Sequence, residues 1–253
     1  MKASEDIDAC LAAFDPITLE ELGASALMDR VETKFILSVR QLPELLEQLH
    51  ADYSVLEVSG KRISSYQNAY LDTEALHCYH EHHRQRKKRY KLRLRKYVDS
   101  NLNFLELKRR DNGRTDKGRM RLESDEAQLG DTGADFLRRS EIDPSGWKQK
   151  LLNRYQRITL VSKHQAERVT LDLNIEFSHD GVDEQLGDLV ILELKQHKAS
   201  RKTAVYKVLR RQQIRPFNIS KYCIGLIKTH GQEQLKHNRF KKKLLKIDKI
   251  NHA

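Results

Sequence analysis

The sequence has few of the residues that build covalent frameworks or cross membranes. Its three cysteines, Cys10, Cys78 and Cys223, form no CxxC pair, which argues against a disulfide framework and against a zinc site built from cysteines. The longest aliphatic stretches, such as residues 189–192, are far shorter than a membrane-spanning helix, which requires roughly 18–20 apolar residues. The acidic start, EDID at residues 5–8, lacks the charged and apolar regions of a signal peptide. We therefore expect a cytoplasmic protein.

Segments that would divide the chain are also scarce. With four prolines and eleven glycines in 253 residues, no stretch has the composition of a linker, and no repeat of fixed period is found. A chain of this length fits one large domain. We expect a single domain over residues 1–253, with a helical lead-in over about 1–27 and a basic C-terminal helix over about 234–250.

Charge is unevenly balanced. Lys and Arg number 47 against 36 Asp and Glu, which gives a net charge of +11. Nucleic-acid binding is one explanation for such an excess. Aromatic residues make up only 7%, however, no RNA-recognition or zinc-finger motif is present, and Glu32, Glu106 and Glu193 lie within basic segments. These carboxylates would repel a nucleic-acid backbone unless a metal intervened, so we expect no specific nucleic-acid partner.

Period-two alternation recurs along the chain, with one apolar and one charged face. In the first such segment Glu32 and Lys34 alternate with Val31 and Thr33, starting at Arg30. Further strands are predicted at residues 53–58, 64–72, 87–98, 102–110, 117–121, 151–161, 168–177 and 189–195. Helices are predicted at residues 41–50, 73–85, 200–213, 220–229 and from 234, with a mostly helical or irregular insertion over 125–150.

Two architectures fit this alternation. In a half-exposed sheet the charged face simply meets water. Alternatively, about eight strands close into an antiparallel barrel whose charged faces enclose a ligand, while the apolar faces lie beneath helices. Both signs of charge in one lumen make chemical sense if basic groups hold phosphates and carboxylates hold a divalent metal. We therefore predict an α+β fold: a closed antiparallel β-barrel tunnel flanked by helices.

Eight short motifs, in this order, resemble one known family. They are RVETKF (30–35), YLDT (70–73), KLRLRKY (91–97), FLELKRR (104–110), RYQR (154–157), RVTLD (168–172), ILELK (191–195) and SKYCIG (220–225). The set resembles the VTC domain, the catalytic domain of the vacuolar transporter chaperone complex, in a bacterial stand-alone form. The family belongs to the triphosphate tunnel metalloenzymes, whose fold is a closed barrel tunnel. The wider superfamily often begins with ExExK, whereas RVETK here suits the VTC-like branch better.

The resemblance implies roles for residues at these motifs, most of which lie on the charged strand faces. The implied catalytic, phosphate-binding residues are Lys34, Arg93, Arg95, Lys108 and Lys221. Further substrate-binding residues are implied at Lys91, Arg157, Arg168 and Lys195. Glu193 resembles the metal-binding glutamate, and the other metal candidates are Glu32, Glu106 and Asp172.

The function implied by the resemblance is metal-dependent phosphoryl transfer. Characterised eukaryotic members polymerise inorganic polyphosphate from ATP with a divalent metal, typically manganese; magnesium is the alternative. With water as the acceptor, the same site would be an inorganic or nucleoside triphosphatase. A non-catalytic polyphosphate-binding module is a third interpretation. The expected partners are ATP or another triphosphate, polyphosphate and a membrane protein contacted through the basic surface at the inner face of the membrane.

Three other signals have both a structural and a functional interpretation. His77, His80, His82 and His83 with Cys78 match no tight zinc pattern and are typical of a solvated helix face. The lysine-rich tail is interpreted as a helix packed on the barrel, or as a contact with polyphosphate or an anionic membrane. Trp147 and Tyr155 are interpreted as packing residues, although an aromatic ring near a tunnel mouth could stack on a nucleotide base.

Overall fold

A computed structural model describes residues 2–24, 31–123 and 129–252. Arg30, residues 25–27 of the lead-in and residues 125–128 of the insertion lie outside the described residues. The strands are β1 Asp15–Ile17, β2 Val31–Ser38, β3 Tyr53–Leu56, β4 Ile63–Asp72, β5 Arg89–Tyr97, β6 Leu102–Asp111, β7 Arg114–Leu122, β8 Lys148–Ser162, β9 Glu167–His179, β10 Val182–Gln185 and β11 Leu189–Gln196. The α-helices are α1 Lys2–Ala12, α2 Leu19–Ala24, α3 Leu42–Glu47, α4 His77–His83, α5 Asp131–Arg139, α6 Ala204–Arg211, α7 Lys221–His230 and α8 Lys241–Asn251.

One curled sheet dominates the molecule. Eight strands follow one another in the order β2-β11-β9-β8-β4-β5-β6-β7, and every pairing along this path is antiparallel. The short strands β1, β3 and β10 extend the sheet beside this path. The predicted α+β class and the eight-strand antiparallel sheet are therefore confirmed.

The prediction of a closed barrel is wrong. Within the described residues no backbone ladder joins the outer strands β2 and β7, so the sheet is a half-barrel. Side chains span the opening instead: Lys117 of β7 and Glu32 of β2 form an ion pair at 2.5 Å. The physical reason is that closure requires two backbone edges at hydrogen-bonding distance, whereas here a long lysine side chain fills the space between them.

The convex side of the sheet is apolar and covered by helices. Near β2, β9 and β11, a buried cluster that includes Phe35, Leu171 and Leu192 packs against α1, α3 and α6. Near β5 and β6, Leu92, Leu105 and their neighbours pack with α5. The prediction that the apolar strand faces point outward to the helices is confirmed. The charged faces consequently line the concave side.

Helices α4, α7 and α8 fill one end of the concave side. Tyr70 of the sheet packs against Tyr222 of α7, with ring centroids 5.1 Å apart, inside a large apolar cluster. A glycine makes this approach possible, because a Cβ built at Gly225 would lie 2.6 Å from side-chain atoms of Leu151 and Phe177. The close packing of α7 places Lys221, its first residue, at the edge of the charged concave face, which we call the recess.

Some predicted boundaries differ from the structure. The described part of the 125–150 insertion contains α5 and the beginning of β8, which starts at Lys148. The helical lead-in is interrupted at Asp15 and Pro16, as their sequence predicts, and these residues form the short strand β1, which pairs with β3. Strand β10 has no counterpart in the sequence prediction. Among the helices that the structure describes, none combines the length and the apolar character needed to span a membrane.

Candidate active site on the concave face

Strand register brings the charged residues of distant motifs onto one face. Lys34 of β2 lies opposite Glu193 of β11, and Lys195 of β11 lies opposite Arg168 of β9. Across the sheet Arg157 lies opposite Asp172, Arg93 opposite Glu106, and Lys91 opposite Lys108. Because side chains two residues apart share a face, every strand residue in the predicted site points to the concave side. These residues are Glu32, Lys34, Lys91, Arg93, Arg95, Glu106, Lys108, Arg157, Arg168, Asp172, Glu193 and Lys195.

Glu193 lies between two lysines. Its carboxylate oxygens are 3.0 Å from Nζ of Lys34 and 3.1 Å from Nζ of Lys195. Burial alone would raise the pKa of Glu193, but these two ammonium groups outweigh burial and hold the pKa well below its ordinary value. Glu193 is therefore an ionised carboxylate although most of its side chain is buried.

Glu106 joins the two arginines of β5. One of its oxygens accepts from Nε and Nη2 of Arg93 at 2.8 and 2.6 Å and lies 3.6 Å from Nη1 of Arg95. Arg95 also donates from Nε to Oδ1 of Asn68 at 2.9 Å. Although burial opposes ionisation, the guanidinium groups lower the pKa of Glu106 to about 2. Both arginines are thus held side by side over the centre of the recess.

Asp172 links the sheet to helix α7. Arg157 binds its two oxygens through Nε at 2.5 Å and Nη2 at 2.8 Å, the bidentate geometry that favours arginine over lysine. Lys221 binds the same carboxylate from the other side. Burial opposes ionisation of Asp172, but these cations lower its pKa below the ordinary value. Lys221, a residue of the predicted site, is therefore joined to β9 through the Asp172 carboxylate.

Glu32 contacts two lysines at the opening of the half-barrel. Its oxygens lie 3.6 Å from Nζ of Lys108 and 2.5 Å from Nζ of Lys117. Burial and the nearby Glu193 carboxylate would raise its pKa, yet the lysines hold the pKa of Glu32 at about 2. Lys117 and Arg119, which lies 3.7 Å from Glu106, are absent from the predicted site. The alternation of basic residues along β7 is the sequence feature that could have identified both residues.

Lys91 and Arg168 differ from the other basic groups. Lys91 donates to Oγ of Ser220 at 2.8 Å and, among the described residues, has no carboxylate within ion-pair distance. Burial, reinforced by neighbouring cations, lowers the pKa of Lys91 to about 7. Arg168 donates to the carbonyl oxygen of Leu22 in α2 at 3.4 Å, so part of its guanidinium is directed to the helical lead-in.

A family model for the VTC domain matches residues 29–230, which is most of the chain. The chain belongs to the VTC-domain family. The resemblance to the VTC domain inferred from the eight motifs is thereby confirmed. A comparison with curated proteins found no match.

Two solved structures share the fold of this VTC domain. One is a Bacillus halodurans protein described as a candidate adenylate cyclase; it has 18% identity and a TM-score of 0.52, over 76% of this chain and 94% of the other. The other is a Hippeastrum protein described as a candidate adenylyl cyclase with a dominant triphosphatase activity, at 16% identity and a TM-score of 0.51, over 78% and 94%. At such identities the likeness shows the fold alone.

The four carboxylates predicted as metal ligands, Glu32, Glu106, Asp172 and Glu193, differ in how well they fit a divalent metal. Across the ranges the structure describes, no group of three or more His, Cys, Asp and Glu side chains is arranged to hold a metal ion. Such a group is unnecessary where one or two carboxylates share the ion with substrate phosphates. Glu193 and Glu32 are mutually close and contact lysines, which phosphates can also bind. Asp172 is held in a bidentate arginine pair and Glu106 by two arginines, so they fit less well.

The other groups singled out in the sequence lie in α4, in α8 and at the aromatic residues Trp147 and Tyr155. In α4, the ring of His83 contacts Oδ1 of Asn238 at 2.7 Å and packs with Tyr79. Leu244 and Ile247 of the basic helix α8 are buried against the domain. Trp147 is partly buried between two apolar clusters, and Tyr155 stacks on Tyr66 with ring centroids 5.2 Å apart. These contacts favour the packing interpretation for the basic helix, Trp147 and Tyr155. The expectation of a solvated helix face for α4 is wrong for Cys78 and His83, which are buried in the apolar packing between helices.

Proposed function

We propose that this VTC-domain protein is a polyphosphate polymerase that transfers the γ-phosphate of ATP to a growing inorganic polyphosphate chain. The observation that carries the proposal is the charge of the concave face, where nine basic side chains of the predicted site surround four carboxylates. A recess with this excess of positive charge is matched to a ligand that is itself multiply negative. Triphosphate and polyphosphate have that property.

The basic groups have distinct tasks in this proposal. Arg93 and Arg95, fixed by Glu106, and Arg157, fixed by Asp172, present planar guanidinium groups suited to phosphate oxygens. Lys34, Lys108, Lys195 and Lys221 are closer to point charges and can move from a carboxylate to a phosphate oxygen. Lys91 and Arg168 complete the binding surface. Phosphoryl transfer depends mainly on such positioning and charge neutralisation.

Glu193 and Glu32 are the residues that would hold a divalent metal. Both are ionised carboxylates with mostly buried side chains, and manganese and magnesium are hard cations that prefer carboxylate and phosphate oxygens. The metal, once bound, would neutralise charge on the transferring phosphate. Phosphates arriving at Lys34 and Lys108 would leave oxygens of the two glutamates available for it.

The low pKa values of the carboxylates in the recess support transfer to a phosphate over transfer to water. A water molecule is best activated by a base whose pKa lies near the working pH. Glu32 and Glu106 have pKa values of about 2, and the pKa of Asp172 is also lowered. The terminal phosphate of polyphosphate is already ionised and needs no such base.

Triphosphate hydrolysis is the second candidate function, because the Hippeastrum protein that shares this fold is described as having a dominant triphosphatase activity. The same recess would bind the triphosphate, and the difference would lie only in the acceptor. A polyphosphate-binding module without turnover would use the same basic groups without the metal.

Contacts outside the recess are part of the proposal. The lysines of α8 at positions 241, 242, 246 and 249 lie on its exposed side together with Leu245, which is 61% exposed. This surface is suited to polyphosphate that leaves the recess, or to a membrane protein at an anionic membrane surface.

Incubation of the purified protein with ATP and either manganese or magnesium tests the proposal. Gel electrophoresis detects polymer, and a separate assay measures free phosphate. Metal-dependent polymer supports the polymerase, and stoichiometric free phosphate without polymer supports the triphosphatase. Polyphosphate binding without either product would reduce the function to binding.

A further inference from the structure

An arginine and two aromatic rings form an ordered group at the edge of the recess, outside the residues assigned to phosphate. The guanidinium carbon of Arg119 lies 3.5 Å from the ring centroid of Phe104 and 5.4 Å from that of Tyr97. The two rings meet edge to face, with centroids 5.7 Å apart. The guanidinium therefore lies close against one aromatic ring and beside another.

Hydrogen bonding holds the Arg119 guanidinium in this position. Its Nη2 donates to the hydroxyl of Tyr97 at 3.1 Å, and its Nε lies 3.7 Å from Glu106. The Arg119 side chain is nevertheless 48% exposed, and it projects from the last strand of the sheet path, β7. A guanidinium that rests on an aromatic ring and still has an exposed surface can accept a second flat, electron-rich ring.

The position of this group relative to the phosphate-binding residues matches a nucleotide. Arg93, Glu106 and Arg119 lie in one cross-strand row, and the same carboxylate contacts both arginines. Only the width of one carboxylate thus separates Arg119 from a guanidinium assigned to phosphate. In a nucleoside triphosphate one sugar separates the base from the phosphates.

Two other aromatic residues singled out in the sequence, Tyr155 and Trp147, are less suited to this task. Tyr155 is 4% exposed; one face stacks on Tyr66, and Nζ of Lys221 lies 4.3 Å from its centroid. Trp147 donates to the carbonyl oxygen of Asp143 and packs among apolar side chains. We propose that Arg119, Phe104 and Tyr97 form a stacking platform for the base of a nucleoside triphosphate. This proposal rests on the proposed triphosphate-binding function.

The platform makes a specific prediction about selectivity. Stacking involves the face of a base and not its edges, so ATP should bind more tightly than methyl triphosphate, which has a substituted triphosphate but no base. The Arg119→Lys change keeps the charge and removes the planar group. Phe104→Leu removes the ring that supports it. Each should weaken ATP binding at least about fivefold and leave methyl triphosphate binding unchanged.

Calorimetric titration of the full chain with the two probes decides the matter. Arg114→Lys, a highly exposed position at the start of the same strand, is the control and should affect neither ligand. Arg119 is exposed, so its variant decides the outcome even if Phe104→Leu fails to fold. Equal affinity of the wild type for both probes, or an equal loss of both in Arg119→Lys, would overturn the platform alone. Wild-type protein that binds neither probe would overturn the proposed function together with it.

Discussion

Lys117 and Glu32 connect the two outer strands of the sheet path through their side chains, with Nζ and Oε1 2.5 Å apart. The contact takes the place of a backbone ladder between β7 and β2. Glu32 also contacts Lys108, so the carboxylate at the opening is shared between a residue of the predicted recess and one that the prediction missed. On this side of the recess a polyanion could therefore bind the two lysines, and a metal could bind the Glu32 carboxylate.

Replacing the arginines of β5 should weaken the binding of polyanions. In Arg93→Gln or Arg95→Gln, loss of a charge-assisted contact costs roughly 1.5–3 kcal/mol, which is about tenfold or more in affinity for tripolyphosphate. Arg114→Gln, which removes an exposed charge outside the recess, is the matched control for the change in net charge. If calorimetry finds the same affinity in all three variants, the basic face of β5 meets only solvent and does not bind the polyanion.

Replacing Glu193 should separate binding from turnover. Glu193→Gln keeps the shape of the side chain but removes the negative charge that a hard divalent cation requires. We expect ATP turnover with manganese to fall at least about tenfold, while polyphosphate still binds through Arg93 and Arg95. Glu184→Gln removes a carboxylate that pairs with Lys228 outside the recess and should leave turnover unchanged. Near-normal turnover in Glu193→Gln would show that another carboxylate, with Glu32 or Asp172 the next candidates, holds the metal.

Lys91 should make binding depend on pH in a defined direction. Burial lowers its pKa from 10.5 to about 7 in the free protein, and bound phosphate should raise that pKa again. Tripolyphosphate binding at about pH 9 is then coupled to proton uptake by Lys91. Calorimetry in two buffers of different ionisation enthalpy measures this uptake. It should disappear in Lys91→Met, and uptake that persists in that variant would assign the proton to another group.

The same shift has a consequence for stability. Between about pH 7 and 10.5 the unfolded chain carries a proton on Lys91 that the folded protein lacks, so this residue makes the free energy of unfolding rise with pH across that window. Denaturant titrations should show a smaller rise in Lys91→Met than in the wild type. An identical pH slope in the two proteins would contradict the burial of Lys91.

Gly225 should tolerate no side chain. A Cβ there would lie 2.6 Å from Leu151 and Phe177, and overpacking of this kind costs typically about 1–3 kcal/mol. Gly225→Ala should therefore lower the melting temperature and, by displacing Lys221, weaken polyanion binding. In α2 a Cβ at Gly23 would meet nothing within 4 Å, so Gly23→Ala is the control and should be neutral or stabilising. Wild-type stability in Gly225→Ala would show that α7 does not pack this closely.

Alternation along the strands predicts most of the site because the side-chain period of a strand is two. The sequence alone assigns Arg93 and Arg95 to one face of β5 and Glu106 to the charged face of β6, and in the structure both arginines contact Glu106. The same alternation is found in a curled open sheet and in a closed barrel. It therefore carries no information on whether β2 and β7 meet, and for this reason the prediction of a closed tunnel is wrong.

Contacts between distant segments are beyond sequence reasoning. The pairing of Lys91 with Ser220 joins residues 129 positions apart, and it depends on how α7 packs against the sheet. Lys117 lies in a strand whose basic residues the alternation identifies, but its role depends on the opening of the half-barrel. The motif resemblance identifies Lys221, whereas its contact with Asp172, a metal candidate that also binds Arg157, follows only from the packing of α7 on β9.

The fate of the γ-phosphate of ATP is the most direct test of the central claim. The protein is incubated with γ-labelled ATP, a short polyphosphate primer and manganese, and the label is divided between polymer and free phosphate. The polymerase account predicts that most of the label enters polyphosphate and that this incorporation is lost in Glu193→Gln. Label that appears as free phosphate alone, at a rate unaffected by the primer, would contradict it.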